Sequence, residues 1–266
     1  MSNKSASIPD LLSTITPPSK DDMKRYRQRQ LKDAMENKTC FTYWYPHVLK
    51  LGIPTPKSKV IPFGRELTEA IIEENESPQV LDDLSVCVED IADFANECGY
   101  PVFLKNSLFS GKHDWAGTCF IESEDTDILM NIANITSYWS TVANELALFF
   151  VVREMINTRA AFTAFGGLPV TEEFRFFSKD GELVSYQPYW PADSIVEPDA
   201  DDWEEKLKAM SVLGKKDLAQ LTAWANQVTA SLTGEWSVDF LKGVDGNWWL
   251  IDMAEGEKSF RYNPND

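Results

Sequence analysis

The sequence predicts an α+β fold with antiparallel sheets, and three observations lead to this fold class. The chain has 266 residues, of which 43% are hydrophobic, so a substantial core is expected. Two Asp-Gly pairs, Asp180-Gly181 and Asp245-Gly246, stand between alternating apolar segments, and such pairs are strong β-hairpin signals. Segments with helical periodicity precede and separate the two hairpins. Helices and antiparallel strands are therefore expected in one chain.

The charge, the hydropathy pattern and the counts of histidine and cysteine argue against several classes of function. There are 25 basic and 42 acidic residues, a net charge of −17, so nucleic acid is not expected as a partner. No apolar segment approaches the roughly 20 residues of a membrane helix, and the polar N-terminal segment predicts a cytoplasmic protein without membrane contact. Only two histidines are present, and the four cysteines have no zinc-ligand spacing. Carboxylates, lysines and arginines are expected to carry any chemistry.

The elements before residue 100 are predicted to be mainly helical. A loose arm over residues 1–19 precedes a helix that ends near Asn37. This helix is basic (Lys24, Arg25, Arg27, Arg29 and Lys32), which fits either a solvated face or a patch that binds an acidic partner. Further along, the pattern predicts a helix over 64–77, a strand over 80–86 and a helix over 88–98.

A polar loop in the middle of the chain carries two candidate phosphate ligands. It joins predicted strands over 101–105 and 118–121 and contains Lys112 and His113. The loop is not a Walker A motif, because Asn106 stands where the first glycine is required and His113 replaces Ser or Thr. Such a loop could still fold over phosphates, with its lysines acting as point charges. A helix over 126–147, broken near Tyr138, is predicted to follow.

The second Asp-Gly pair predicts a specific strand register. With a two-residue loop at Asp245-Gly246, Phe240 would face Ile251 and Asp239 would face Asp252. Like charges directly opposed across a sheet are destabilising. A cation is therefore expected between the two aspartates.

Two kinds of cation fit between these carboxylates. Mg²⁺ suits a pair of hard oxygen ligands, and Glu255 and Glu257 stand nearby as further ligands. A lysine or arginine salt bridge is the alternative. The sequence thus offers Asp239, Asp252 and Glu255 as candidate metal ligands.

The first hairpin carries a charged face and an apolar face. Strand alternation places Glu173, Arg175 and Phe177 on one face, with Phe174 and Phe176 on the other. Arginine is preferred for bidentate phosphate contacts, so Arg175 could clamp a phosphate. The alternative is a surface ion pair between Glu173 and Arg175.

Taken in order, these elements resemble the ATP-grasp superfamily over about residues 41–257. The matching segments are the introductory Leu51–Lys57, the lysine strand Phe103–Lys105 with its loop Ser110–Trp115, the hinge Val151–Ile156, the strand Glu173-Phe-Arg175, and the metal-binding strands with Val238-Asp239 and Leu250-Ile-Asp252. The most similar branch is the Arg-plus-two-Lys clade of phage and bacterial genomes. That clade is related to the chaperones that assemble a translation initiation factor.

The resemblance implies an ATP-grasp fold in which two α+β lobes with antiparallel sheets enclose the nucleotide, after an N-terminal helical arm. The implied divisions are an arm and basic helix (1–39), a pre-grasp segment (40–100), and a grasp domain with N-lobe 101–152, hinge 153–157 and C-lobe 158–266. ATP and Mg²⁺ are the implied cofactors. The implied nucleotide-binding residues are Lys105, Lys112, His113, Glu154, Met155, Ile156, Glu173 and Arg175, with Lys112 and Arg175 also catalytic.

By the same resemblance, the protein is expected to phosphorylate a carboxylate with ATP so that an amine attacks the acyl phosphate, with a peptide or protein as the leading acceptor. One position departs from the family, because Ala254 stands where many members have an asparagine. An ATP-binding chaperone or assembly factor without ligase activity therefore remains the alternative. A structural protein with only surface ion pairs is a third possibility.

Overall fold

The structure is a computed structural model that describes residues 32, 36–142 and 147–262. The arm predicted over residues 1–19 lies outside the described residues. The basic helix predicted to follow it lies almost entirely outside them as well.

Six α-helices and ten β-strands form the described part of the chain. The helices are α1 (Phe41–Leu51), α2 (Gly64–Ile72), α3 (Pro78–Cys98), α4 (Ile128–Val142), α5 (Trp203–Met210) and α6 (Lys215–Thr229). The strands are β1 (Ser58–Pro62), β2 (Val102–Asn106), β3 (Phe120–Ile121), β4 (Phe149–Glu154), β5 (Phe162–Ala164), β6 (Leu168–Val170), β7 (Glu173–Lys179), β8 (Glu182–Pro188), β9 (Glu235–Lys242) and β10 (Trp248–Glu255). The α+β class is confirmed. No described helix has the length and apolar character needed to cross a bilayer.

The first sheet has the order β1-β4-β2-β3 and is antiparallel throughout. Helices α2, α3 and α4 cover one of its faces, and the core between them includes Ile91, Phe94, Val102, Leu104, Ile132, Phe150 and Val152. Alternate residues of a strand point to opposite faces. Phe103, Lys105 and Arg153 therefore project from the other face, toward the second sheet.

The strand predicted over residues 80–86 is wrong, because these residues belong to the 21-residue helix α3. The helix starts at Pro78, a residue that suits the first helical turn because it has no N–H to leave unpaired. Its buried residues Leu84, Cys87, Ile91 and Phe94 recur every three or four positions, which is a helical stripe. The seven residues 80–86, taken alone, are too few to distinguish this helical stripe from the alternation of a strand.

The strand predicted over residues 118–121 is reduced to Phe120–Ile121, because Trp115–Cys119 forms a π-helical turn. Two asparagines of α4 hold this turn. Asn131 Nδ2 donates to the Thr118 carbonyl at 2.9 Å, and Asn134 Nδ2 donates to the Gly117 carbonyl at 2.7 Å. Helix α4 itself passes Tyr138 without the predicted break.

The second sheet has the order β10-β9-β7-β8 and is also antiparallel. Helices α1 and α6 pack on one face, over a core that includes Phe41, Trp44, Phe174, Phe176, Leu221, Val228, Val238, Phe240 and Leu250. The β7–β8 hairpin is the predicted one: Lys179 pairs with Glu182, and Asp180 and Gly181 both have positive φ, at 51° and 87°. Both angles are those of a type I′ turn.

The β9–β10 hairpin differs from its prediction at the turn. The loop has three residues, because Gly243 N donates to the Asn247 carbonyl at 2.8 Å and the Asp245 side chain accepts from Asn247 N at 3.0 Å. Phe240 therefore pairs with Leu250 instead of the predicted Ile251. A β-bulge between Leu250 and Asp252 then shifts the register by one residue.

This bulge restores the pairing that matters for the site. Beyond it, Asp239 and Asp252 are direct Cα partners, as predicted. The loop prediction and the Phe240 pairing were wrong, but the bulge offsets the longer loop.

Candidate functional site

A row of four polar side chains crosses the second sheet on the face opposite its core. The register pairs Gln187 with Arg175, Arg175 with Asp239, and Asp239 with Asp252. The neighbours of Arg175 on β7 and of Asp239 on β9 are buried in the core: Phe174, Phe176, Val238 and Phe240. Strand alternation therefore forces these polar groups onto the face that looks toward the first sheet.

Arg175 and Asp239 form a buried, two-point ion pair. Arg175 Nε donates to Asp239 Oδ1 at 2.8 Å and Nη2 donates to Oδ2 at 2.7 Å. Their side chains are 14% and 5% exposed. Burial alone would lower the pKa of Arg175, but the Asp239 charge outweighs it and the pKa is raised. Arg175 thus stays charged, and it is paired with Asp239 rather than with Glu173.

Lys105 and Asp252 connect the two sheets. Lys105 Nζ lies 3.0 and 2.9 Å from the two carboxylate oxygens of Asp252, and Lys105 is 1% exposed. Burial would raise the pKa of Asp252, but the charges of Lys105 and Arg153 lower it overall. Each aspartate of the opposed pair therefore has its own cation. Of the two kinds of cation predicted for these aspartates, the structure contains the lysine and arginine salt bridges.

Lys112 reaches the same region from the loop after β2. Its Nζ lies 3.1 Å from Glu173 Oε1, 3.7 Å from the ring centre of Tyr189 and 4.6 Å from that of Trp190. Burial would lower its pKa, but the charge of Glu173 and the Tyr189 hydroxyl raise it overall. Lys112 is therefore a charged group held by a carboxylate and two aromatic faces.

The loop that carries Lys112 is folded by short local contacts. Asn106 Oδ1 accepts from Leu108 N and Phe109 N at 2.9 and 2.6 Å. At the far end, Thr118 Oγ1 donates to the Gly111 carbonyl at 2.6 Å. A β-carbon on Gly111 would lie 2.8 Å from that hydroxyl oxygen. The glycine beside Lys112 is thus required by this close approach.

Arg153 is a site residue to which the sequence analysis assigned no role. Its guanidinium donates to the Ile251 carbonyl, at the bulge of β10, and lies 4.7 Å from the ring centre of Phe103. It is 7% exposed, and burial lowers its pKa. The available signal was a single charge ending the apolar segment Phe149–Val152. The sequence analysis also missed Tyr189 and Trp190, because their contact with Lys112 depends on how the loop after β2 folds.

The charged groups surround a cavity between the two sheets. Its apolar walls include Phe103, Trp115, Met155, Ile156, Leu168 and Leu241, and its polar walls include Lys112, Arg153, Glu173, Asp239 and Asp252. We call it the first cavity. It combines apolar walls with charged walls, which suits a ligand that has an aromatic ring and an anionic group.

The predicted site residues are distributed as follows. Lys112, Glu154, Met155, Ile156, Glu173, Asp239 and Asp252 line the first cavity, Lys105 lies behind Asp252, and Arg175 and His113 line a second, adjoining cavity. Glu255 lines neither cavity, and its carboxylate lies 3.8 Å from Lys38 and 3.6 Å from Lys258. Tertiary structure thus brings nine of these eleven residues to the walls of two adjoining cavities. Lys105 contacts one of those nine residues, Asp252.

The opposed carboxylates are chemically suited to Mg²⁺. Asp239 and Asp252 both line the first cavity and supply only oxygen donors, the type that Mg²⁺ prefers. Among the described residues, no three His, Cys, Asp or Glu side chains come together as a ready-made cluster. Mg²⁺ commonly keeps water and uses one or two carboxylates together with substrate phosphates. Two aspartates therefore fit the metal.

The depressed pKa of Asp252 predicts an acid-sensitive difference between two variants. Because its folded-state pKa lies below 3.8, its stabilising contribution is present above that pH and is lost as the pH falls through the folded-state pKa. Without divalent cations, Asp252→Asn should unfold at lower urea than the wild type at about pH 6, and the gap should shrink at about pH 3. The exposed Asp125 offers the control Asp125→Asn. An unchanged gap at acid pH would contradict the prediction.

Comparison with known proteins bears on the fold. The family model for the ATP-grasp domain of the Arg-plus-two-Lys clade, family 3, matches residues 67–266. C-terminally truncated Cdc123 from Schizosaccharomyces pombe has a TM-score of 0.51 at 16% identity, covering 86% of this chain and 85% of that chain. D-alanine–D-alanine ligase from Bacillus anthracis, complexed with ATP, has a TM-score of 0.44 at 12% identity and covers 83% of this chain. The comparison with curated proteins gives no match.

A ligase complexed with a precursor peptide is also among the similar structures. The ATP-grasp ligase PsnB, complexed with precursor peptide PsnA2 and AMPPNP, has a TM-score of 0.41 at 13% identity and covers 82% of this chain. The chain spans about half the length of the two ligases, at 55% and 49% of their chains.

Proposed function

The chain belongs to the Arg-plus-two-Lys clade of ATP-grasp domains and has the ATP-grasp fold, and from this premise we propose that it is an ATP-dependent ligase. In this proposal it activates a carboxylate as an acyl phosphate, which an amine then attacks. The observation that carries the proposal is one cavity lined by Lys112, Arg153 and the opposed pair Asp239 and Asp252. Lys105 and Arg175 bond to those two aspartates. Phosphoryl transfer depends mainly on positioning and on cations that meet the developing charge.

The first cavity would hold ATP in one orientation. The apolar walls, with Met155 and Ile156 at the hinge, would take the adenine ring, and Glu173 would approach the ribose. The charged walls would take the phosphates, with the Lys112 ammonium and the Arg153 guanidinium as hydrogen-bond donors. This orientation follows from the two kinds of wall, since the triphosphate needs cations and the base needs apolar contacts.

Asp239 and Asp252 would hold Mg²⁺ in the same proposal, with Glu255 as a more distant candidate. When bound, the ion would neutralise part of the triphosphate charge. The chain's own residues do the rest. Lys105 keeps the Asp252 carboxylate ionised, and Arg175 orients the Asp239 carboxylate with two hydrogen bonds. The bulge between Leu250 and Asp252 aims the Asp252 side chain into the space between the sheets.

The reaction needs no side-chain nucleophile. A carboxylate oxygen of the substrate attacks the γ-phosphorus, a new P–O bond forms, and the bond to the β,γ-bridging oxygen breaks, so ADP leaves with the electron pair. An amine nitrogen then attacks the acyl carbon, the C–O bond to phosphate breaks, and the amine proton passes to solvent. A chain with four free cysteines, three of them buried, and two histidines can perform this chemistry.

The test of this function is ADP release from Mg²⁺-ATP. Purified protein should release ADP when supplied with a pool of amino acids and acidic peptides, and a thermal-shift measurement with Mg²⁺-ATP should show stabilisation by ligand binding. Asp252→Asn should abolish both signals. Neither ADP release nor a thermal shift with wild-type protein would contradict the proposal.

Ala254 favours a second candidate function. Ala254 pairs with Ser237 of β9 and lines the second cavity. Many ATP-grasp members have an asparagine at this position. An ATP-binding assembly factor without ligation would show the Mg²⁺-ATP thermal shift and no stimulated ADP release. Restoring the amide in Ala254→Asn would then be expected to raise ADP release.

A further inference from the structure

Tyr189 lies where the two cavities meet. It follows strand β8 directly, and it lines both cavities. The proposed function gives this residue no role, because it supplies neither a cation for the phosphates nor a carboxylate for the metal. Its ring nevertheless contacts two of the groups on which the proposed function depends.

Two cations lie against the Tyr189 ring. Lys112 Nζ is 3.7 Å from the ring centre, and the guanidinium carbon of Arg175 is 4.7 Å from it. Both distances are within the roughly 6 Å of a cation–π contact. The side chains of Lys112 and Arg175 are only 12% and 14% exposed, and such contacts are stronger where water is excluded. One aromatic ring therefore attracts both positive groups.

A backbone bond and aromatic neighbours hold the Tyr189 ring in place. Tyr189 N donates to the Glu173 carbonyl at 2.9 Å, which ties the residue to β7. The ring packs edge-on against Trp190, with 4.9 Å between the ring centres, and Trp190 is buried against Phe165. The ring is thus a fixed support for the cation that the loop after β2 brings to it.

The carboxylate partners of the two cations are also groups that the proposed function engages. Lys112 pairs with Glu173, and Arg175 pairs with Asp239. In the proposed function, Glu173 approaches the ribose and Asp239 holds Mg²⁺. Each carboxylate then attracts its cation less strongly, because its charge is shared with a second partner. The neutral ring of Tyr189 takes part in neither exchange and keeps its attraction for both cations.

We infer that Tyr189 is a positioning residue, whose ring face keeps Lys112 and Arg175 in place while the nucleotide and the metal engage their carboxylate partners. The inference rests on the proposed function and adds a residue to it. Tyr189 acts through Lys112, which meets the phosphates, and through Arg175, which orients Asp239. The aromatic face is the part that acts, and the hydroxyl is not required.

The experiment measures the affinity of Tyr189 variants for a non-hydrolysable ATP analogue with Mg²⁺, by calorimetric titration. Tyr189→Phe keeps the aromatic face and should bind the analogue within about twofold of the wild type. Tyr189→Leu removes that face and should bind it about tenfold more weakly or worse, as expected for the loss of two cation–π contacts shielded from water. The rate of ADP release should fall in the same order.

Fluorinated phenylalanines in place of Tyr189 separate the electrostatic effect of the ring from its packing. Fluorine withdraws electron density from the ring face and changes the ring's size little. The affinity should therefore fall step by step from phenylalanine to its monofluoro, difluoro and trifluoro forms. A ring that only fills space would give equal affinities across this series.

The matched control is Tyr186→Leu, which removes an exposed ring of β8 that stacks on Phe176 of the core and should leave the affinity unchanged. Wild-type affinity in Tyr189→Leu, an equal loss in Tyr189→Phe and Tyr189→Leu, or equal affinities across the fluorinated series would each overturn the inference while leaving the proposed function intact. A wild-type protein that does not bind the analogue would overturn both.

Discussion

Replacing Arg175 with methionine should destabilise the protein by about 3–5 kcal/mol, the usual cost of leaving a buried carboxylate without its partner. Asp239 is 5% exposed and takes both of its close contacts from Arg175, so water cannot replace the lost donors. Urea unfolding of Arg175→Met measures the effect. Asp239→Asn should also destabilise, since it leaves the arginine charge buried.

The double variant Arg175→Met/Asp239→Asn separates stability from function. Both charges are then absent, so much of the stability should return, while ADP release should stay abolished. Arg261 and Glu235 form a matched but exposed pair, at 40% and 31%, so Arg261→Met should cost about 1 kcal/mol or less. Equal losses in Arg175→Met and Arg261→Met would contradict the assignment of a buried ion pair.

Replacing Lys105 with methionine should weaken ATP binding by about 10–100-fold, the range expected when a charge-assisted contact is lost. Lys105 is buried against Asp252, and its removal leaves that carboxylate unbalanced beside the proposed phosphate site. Negative charge would then repel the triphosphate through a poorly screened interior. Calorimetric titration with Mg²⁺-ATP measures the change.

Lys59→Met is the matched control for this variant. Lys59 lies on the same sheet and pairs with Asp90, but both side chains are well exposed, at 37% and 41%, so ATP affinity should stay within about twofold. Wild-type affinity in Lys105→Met would remove Lys105 from the site.

Local sequence chemistry was sufficient to locate both hairpins, but it predicted the turn correctly only in the first. Asp180-Gly181 forms a type I′ turn because both residues accept positive φ. At Asp245-Gly246 the same signal led to the wrong loop, because the Asp245 carboxylate bonds to Asn247 and a longer turn results. The Asp239–Asp252 pairing was nevertheless predicted correctly, since a bulge, which no local pattern announced, compensated for the extra residue.

The sequence by itself determined the fold class, the strand faces and which lysines, arginines and carboxylates were available for chemistry, because alternation and turn propensity act within a few residues. Tertiary structure alone decided which charges meet. Lys105 reaches Asp252 across 147 positions of chain, which depends on how the two sheets face each other. Arg175 reaches Asp239 across 64 positions, which depends on the pairing of β7 with β9. Arg153, Tyr189 and Trp190 joined the site for the same reason: burial and proximity, unlike periodicity, are properties of the packed molecule.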